Sequence, residues 1–255
     1  MSAPLVTVLG GTGHMGAAVA GRLEDRGAQV RRAARSTGVD AGTGAGLAEA
    51  LAGADVVVDC LNVPTQSRRA VSFFSGAAAK VARAAEAAGV GHVVVLSIVN
   101  VADPLPRRLT GYYAGKAAQE AVYAGARVPV SLVRTTAWFT LARMFLEMGR
   151  VGPVRLVPSL QLQPVHPDAV ADLLAEVALG EPPQERRLLQ LAGPEVISSG
   201  AMAASLAETD VVPGRVVPLP VPGAPGRSLL PHADQQVATD ARTFSAWLED
   251  RRGPS

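Results

Sequence analysis

Apolar residues fall into short runs separated by stretches of helical spacing. The first run, Leu5-Val6-Thr7-Val8-Leu9, is rich in β-branched residues and suits a strand buried on both faces. Four glycines then break the pattern between Gly10 and Gly16, and a helix is predicted to about Arg26, where Gly27 stops it. Residues 30–34 predict the next strand, 47–51 a short helix, and 55–61 a strand whose core is Val56-Val57-Val58. A long alanine-rich helix is predicted over about 66–88, ending at Gly89, followed by a strand at 92–97, a helix at about 110–124 and a strand at 130–134.

This alternation implies right-handed βαβ crossovers and a parallel sheet. The expected class is therefore α/β, a Rossmann-type doubly wound sheet. Beyond residue 135 the pattern loosens, with helical stretches at 138–148 and 167–179 and a strand at 188–191. Six prolines between Val212 and Pro231 predict an extended surface segment or lid. The whole chain, 1–255, reads as one nucleotide-binding unit in which roughly 135–255 supply a small substrate-binding cap.

Composition narrows the function. Of 255 residues, 48% are hydrophobic and 18% charged, so the chain buries a full core. No run approaches the roughly 18–20 apolar residues of a membrane span. The N-terminus lacks the basic region of a secretory signal, so a cytoplasmic protein is expected. The lone Cys60 excludes an internal disulfide, ends an apolar strand and reads as a small core residue. No spacing suits a metal site. Net charge is +2, and the arginine pairs 31–32, 68–69, 107–108, 186–187 and 251–252 are scattered rather than clustered. No nucleic-acid partner is expected.

The stretch Gly10-Gly11-Thr12-Gly13-His14-Met15-Gly16 satisfies both G-x-G-x-x-G and G-x-x-G-x-x-G. Between a strand and a helix, either spacing lets backbone approach a dinucleotide pyrophosphate at a helix N-terminus. An acid at the end of the second strand would select NAD, but Arg31-Arg32-Ala33-Ala34-Arg35-Ser36 stands there instead. Arg35 can grip a ribose 2′-phosphate bidentately and Ser36 can add a hydrogen bond, so NADP(H) is the expected cofactor. Asp40, at the end of a short third strand, can accept from the adenine amino group or cap the next turn.

Tyr112 and Lys116 are four residues apart on a predicted helix and share a face. An ammonium beside a phenol favours phenolate and lowers its pKa, which tunes the phenol as the acid in carbonyl reduction, and a lysine can also hold the nicotinamide ribose. Of 24 basic residues only Lys80 and Lys116 are lysines, so Lys116 needs a reason beyond positive charge. Tyr113 is an alternative phenol. Ser97 closes the strand at 92–97, where ligands bind in open α/β sheets, and can orient the same carbonyl. Glu120, one turn beyond Lys116, can pair with it.

With GGTGHMG, RAARS, VVVLSIVNV, YYAGKAAQE, LVRTTAWF, PVHPDAVADLLAEVAL and LAGPEV, the chain resembles the atypical short-chain dehydrogenase/reductase superfamily in its NmrA-like branch. The resemblance implies that Gly10, Gly13 and Gly16 hold the pyrophosphate and that Leu61, Asn62 and Val63 line the path from adenosine to nicotinamide. It places Thr135, Thr136 and Ala137 by the nicotinamide, and Trp138, Phe139 and the region of His166 at the substrate. His14 sits in the glycine turn, where it can touch phosphate or face solvent. The better-known short branch has a catalytic asparagine in its long helix, and the helix after residue 64 has no counterpart.

The leading expectation is an NADPH-dependent oxidoreductase that delivers hydride to the carbonyl of a small or medium-sized apolar substrate, as a monomer or homodimer. The rivals are a cofactor-sensing regulator without turnover and a non-redox epimerase, isomerase or cyclase.

Overall fold

The computed structural model describes residues 3–63, 65–232 and 234–252. The chain divides into two compact units. The first runs through Arg134 and takes in Val170–Leu189; the second holds Thr135–Ala169 and the chain from Gln190 onward. The second unit is interrupted in sequence, because most of the helix near 167–179 belongs to the first.

In chain order the elements begin with β1 (Leu5–Leu9), α1 (His14–Asp25), β2 (Gln29–Ala33), α2 (Leu47–Leu51) and β3 (Val56–Asp59). They continue with α3 (Arg69–Ala88), β4 (His92–Ile98), α4 (Pro104–Leu109), α5 (Gly111–Ala124) and β5 (Val130–Thr135). Then come α6 (Leu141–Met148), β6 (Arg150–Val151), β7 (Val154–Ser159), β8 (Gln161–Leu162), α7 (Pro167–Leu179) and β9 (Arg186–Ala192). The last are β10 (Ile197–Ser198), α8 (Ser199–Thr209), β11 (Arg215–Pro220), α9 (Ala224–Arg227), β12 (Ala238–Thr239) and α10 (Phe244–Arg252).

The first unit is built on a parallel sheet ordered β9-β5-β4-β3-β1-β2. In the second unit, β12 pairs in parallel with Leu191 and Ala192. Val6 of β1 pairs with Val30 on one side and Val56 on the other. The chain therefore leaves β1 for β2 and returns on the opposite side to β3, which sets a topological switch point at the C-terminal ends of β1 and β3. Alternate strand residues feed two cores. Leu9, Val57, Val93 and Val95 pack with Leu47, Leu51, Ala78, Val81 and Tyr123 from α2, α3 and α5. On α1, Arg22 and Arg26 both bind the Asp172 carboxylate of α7, at 3.0 and 3.2 Å.

His92, at the start of β4, is 2% exposed, and its Nε2 lies 2.9 Å from Ser131 Oγ of β5. Burial first, and then the Arg187 charge, pushes its pKa down from 6.5 to about 4. The unfolded chain therefore binds the extra proton between those values. This contribution to stability is complete above pH 6.5 and lost as pH falls through 4. Urea denaturation should show about 2 kcal/mol less stability at pH 5 than at pH 7 from this group. A His92→Gln variant should lose that part of the slope, and an unchanged slope would remove His92 as its source.

The second unit has its own core of Phe139, Phe145, Leu146, Val157, Leu162, Met202, Leu206, Phe244 and Leu248. Phe139 meets the rings of Phe244, His166 and Trp247 at 5.4, 5.6 and 5.8 Å. The expected proline-rich lid at 212–231 is not wholly irregular, since β11 pairs in parallel with β7 from Arg215 to Pro220. Its prolines are tolerated because β11 is the edge of the three-stranded sheet β11-β7-β6, where one side of the strand needs no donor. Among the described residues, no helix is long and apolar enough to cross a membrane.

Candidate cofactor and catalytic site

The glycine turn lies at the switch point. Gly10 has φ +72°, and its N–H and that of Gly11 donate to Ala33 O at 2.8 and 3.2 Å, tying the turn to β2. Added β-carbons at Gly10, Gly11 and Gly16 would lie 2.9 Å from Cys60 O, 2.7 Å from Val8 O and 2.1 Å from Gly10 O. Those three glycines are demanded by the protein's own backbone. Gly13 is not: its β-carbon would meet only Gly10 O, at 3.2 Å. Gly13 caps α1 without a side-chain hydrogen bond, and the first turn holds no acid. An uncapped helix start with no side chain over it is a cradle for a phosphate. Thr12 and His14 are exposed there, whereas Met15 is buried under the helix.

Of Arg31, Arg32 and Arg35, in and just after β2, two are occupied. Arg31 donates to the carbonyls of Ala50 and Ala52 at the end of α2, and Arg32 binds Glu24 at 2.7 Å. Arg35 is exposed and has no partner among the described residues. Ser36 Oγ lies 3.2 Å from Thr12 Oγ1, so the two loops share one hydroxyl pair. Asp40 forms an isolated bridge with Ala45 rather than ending a third strand, and its Oδ1 accepts from Gly42 N at 2.8 Å. That oxygen caps its own turn.

After β3, Asp59 is fully buried and organises the neighbouring helix. Its Oδ1 accepts from Leu61 N at 2.9 Å, and its Oδ2 accepts from Gln119 Nε2 at 2.9 Å and Tyr123 OH at 2.7 Å. Gln119 Oε1 in turn accepts from Lys116 Nζ at 2.8 Å, and the same ammonium donates to Leu96 O at 2.8 Å. It also lies 4.7 Å from the Phe74 ring. Burial pushes the Lys116 pKa down to about 8, opposed chiefly by the Asp59 carboxylate. Cys60 is a buried thiol pushed up to about 12 by burial and by Asp59, in keeping with a core role.

These contacts correct the expected Tyr112–Lys116 pair. The shared helical face directs Lys116 into the Asp59 network, where it pins α5 to the end of β4. Tyr112 packs edge-on against Phe74 at 5.7 Å, and burial pushes its phenol up to about 12 rather than down. Tyr113 is shifted in the same direction, by burial and then by Tyr112 and Asp103. Glu120 is not the partner of Lys116: Arg134 binds it in a two-pronged ion pair at 3.0 and 2.6 Å. Gly115, inside the Y-x-x-x-K motif, allows the α3–α5 contact, since a β-carbon would stand 2.7 Å from Phe74.

Ser97 is 1% exposed, and its Oγ has no hydrogen-bond partner among the described residues. An orphaned buried hydroxyl is costly unless a ligand completes it, and this one stands one residue before the end of β4, at the edge where open α/β sheets bind ligands. Leu61 and Val63 are half-buried and Asn62 is exposed beyond β3.

In the second unit, Thr135 Oγ1 accepts from the Trp138 indole at 3.0 Å, and Thr136 is 3% exposed with its hydroxyl unpartnered. Phe139, expected at the substrate, is fully buried in that unit's core. His166 serves as a helix cap: Nδ1 accepts from Asp168 N at 3.0 Å at the start of α7, which fixes the neutral Nε2–H tautomer. Burial, and then Arg242, lowers its pKa. Sequence reasoning missed Asp59 and Gln119, whose only signals were an acid at the end of an apolar run and an amide three residues after the rare lysine.

The family model described as NAD(P)H-binding matches residues 10–179. No curated protein matches the chain. Among solved structures, the chain is similar to a short-chain dehydrogenase/reductase superfamily protein from Agrobacterium tumefaciens with bound NAD, at 16% identity and TM-score 0.71, covering 97% of this chain and 96% of that one. The dTDP-4-dehydrorhamnose reductase from Bacillus anthracis in complex with NADP matches at 14% identity and TM-score 0.71, covering 97% and 98%. An NADPH-dependent quinone oxidoreductase from Escherichia coli matches at 19% identity and TM-score 0.59, covering 84% and 78%.

Proposed function

The chain belongs to the NAD(P)H-binding family, and from that premise we propose that it is an NADPH-dependent oxidoreductase reducing the carbonyl of a small or medium-sized apolar substrate. The observation that carries the cofactor choice is the unpaired Arg35 guanidinium at the end of β2, beside the Ser36 hydroxyl and with Arg31 and Arg32 already engaged. Gly10, Gly13 and Gly16 would hold the pyrophosphate and Arg35 with Ser36 the 2′-phosphate. Bound NADPH would supply hydride. Tyr112 holds its proton across the neutral range and would give it to the carbonyl oxygen, with Ser97 donating a hydrogen bond to the same oxygen. Lys116 acts at one remove, by fixing the end of β4 next to Ser97.

Calorimetry with NADPH and NADH tests the cofactor reading. Charge-assisted hydrogen bonds are worth about 1.5–3 kcal/mol. Arg35→Ala should therefore raise the Kd for NADPH by about 10- to 100-fold and leave that for NADH unchanged. Equal effects on both would overturn the 2′-phosphate assignment. NADPH oxidation over a panel of ketones, quinones and enones tests the reaction.

One observation favours a second reading. Lys116, withdrawn into the Asp59 network, does not tune Tyr112, which suits a cofactor sensor that binds without turnover. Preferential binding of one redox form, with no oxidation across the panel, would select it.

A further inference from the structure

Arg107 and the Arg186–Arg187 pair, far apart in sequence, line one groove of the first unit. A groove of about 720 Å³ lies along α5, with Val71, Val101, Leu132 and Leu188 among its apolar lining and Arg107, Arg186 and Arg187 as its basic groups. Glu120 also lines it, but its carboxylate is gripped at both oxygens by Arg134. The groove is thus apolar in lining and basic in net charge. Leu188, 49% exposed, is a large apolar side chain that nothing in this unit covers.

The charges are distributed along the helix. Arg107 stands in the last turn of α4, just before α5 begins, and the Arg186 guanidinium donates to the carbonyl of Ala124 at the far end of α5. Between them α5 has 14 residues, a length of about 21 Å. Arg107 is exposed with no partner among the described residues, and Arg187 Nε is buried with none.

The geometry points to a docking groove for an acidic amphipathic helix of another protein. Its apolar face would lie along α5, and carboxylates about 20 Å apart would meet Arg107 at one end and Arg186 with Arg187 at the other. A second copy of this chain fits less well, because a two-fold contact would set arginine against arginine.

The probe is a synthetic helical peptide of about sixteen residues with leucine on one face and glutamates toward both ends, alongside a version with lysine in place of glutamate. Fluorescence anisotropy on the full chain should show binding of the glutamate peptide that weakens about tenfold between 50 and 300 mM salt, and none of the lysine peptide. Arg107→Glu and Ala121→Trp, both at exposed positions, should each weaken it at least tenfold without changing the melting temperature. No binding, equal binding of both peptides, or indifference to both variants would overturn the proposal. So would a dimer in sedimentation that Ala121→Trp dissociates, which would give the groove to a second copy.

Discussion

Tyr112→Phe is expected to lower kcat/KM for NADPH-dependent carbonyl reduction by about 10²- to 10⁴-fold, the range spanned by loss of a positioned general acid. The variant keeps the ring that packs on Phe74 at 5.7 Å, so α5 and its contacts survive. Cofactor affinity by calorimetry should therefore stay at the wild-type value while turnover collapses. With the phenol pushed up to about 12, the proton-bearing form is fully populated between pH 6 and 9. The wild-type rate should show no ionisation assignable to this tyrosine in that interval. Unchanged turnover in the variant would remove Tyr112 from the mechanism. Loss confined to Tyr113→Phe would move the role one residue along the helix.

The second large effect concerns stability. Asp59→Ala should destabilise the fold by about 3–5 kcal/mol, because it strands several buried groups at once. Leu61 N, Gln119 Nε2 and Tyr123 OH would lose their acceptor, and the buried Lys116 ammonium would lose its main balancing carboxylate. Urea midpoints for Asp59→Ala, Lys116→Met and the pair measure the coupling. The double variant should be more stable than the sum of the two losses predicts, by about 0.5–3 kcal/mol. Strict additivity would show that the two charges do not sense each other through Gln119.

This network recasts the Y-x-x-x-K motif. In this arginine-rich chain Lys116 has a structural reason that spacing alone does not contain. A compact ammonium with rotatable donors fits under Phe74 and reaches both Leu96 O and Gln119 Oε1.

Local pattern is enough to specify most strands and helices of the first unit. The β-branched runs at β1, β3, β4 and β5 specify buried strands because each residue there contributes to one of two packed faces. The glycine turn is legible for a related reason: Gly10, Gly11 and Gly16 are the only residue type that the backbone contacts allow. Which polar side chains meet is set by the folded chain and not by spacing. Residues four apart on a helix share a face, but whether that face meets a ligand, a neighbouring helix or a buried carboxylate depends on strands 20 to 60 residues away in the chain. The same holds for Phe139, assigned to the core by Phe244 and Trp247. It holds for Arg107 and Arg186 too, distant in sequence and set at opposite ends of one helix by the fold.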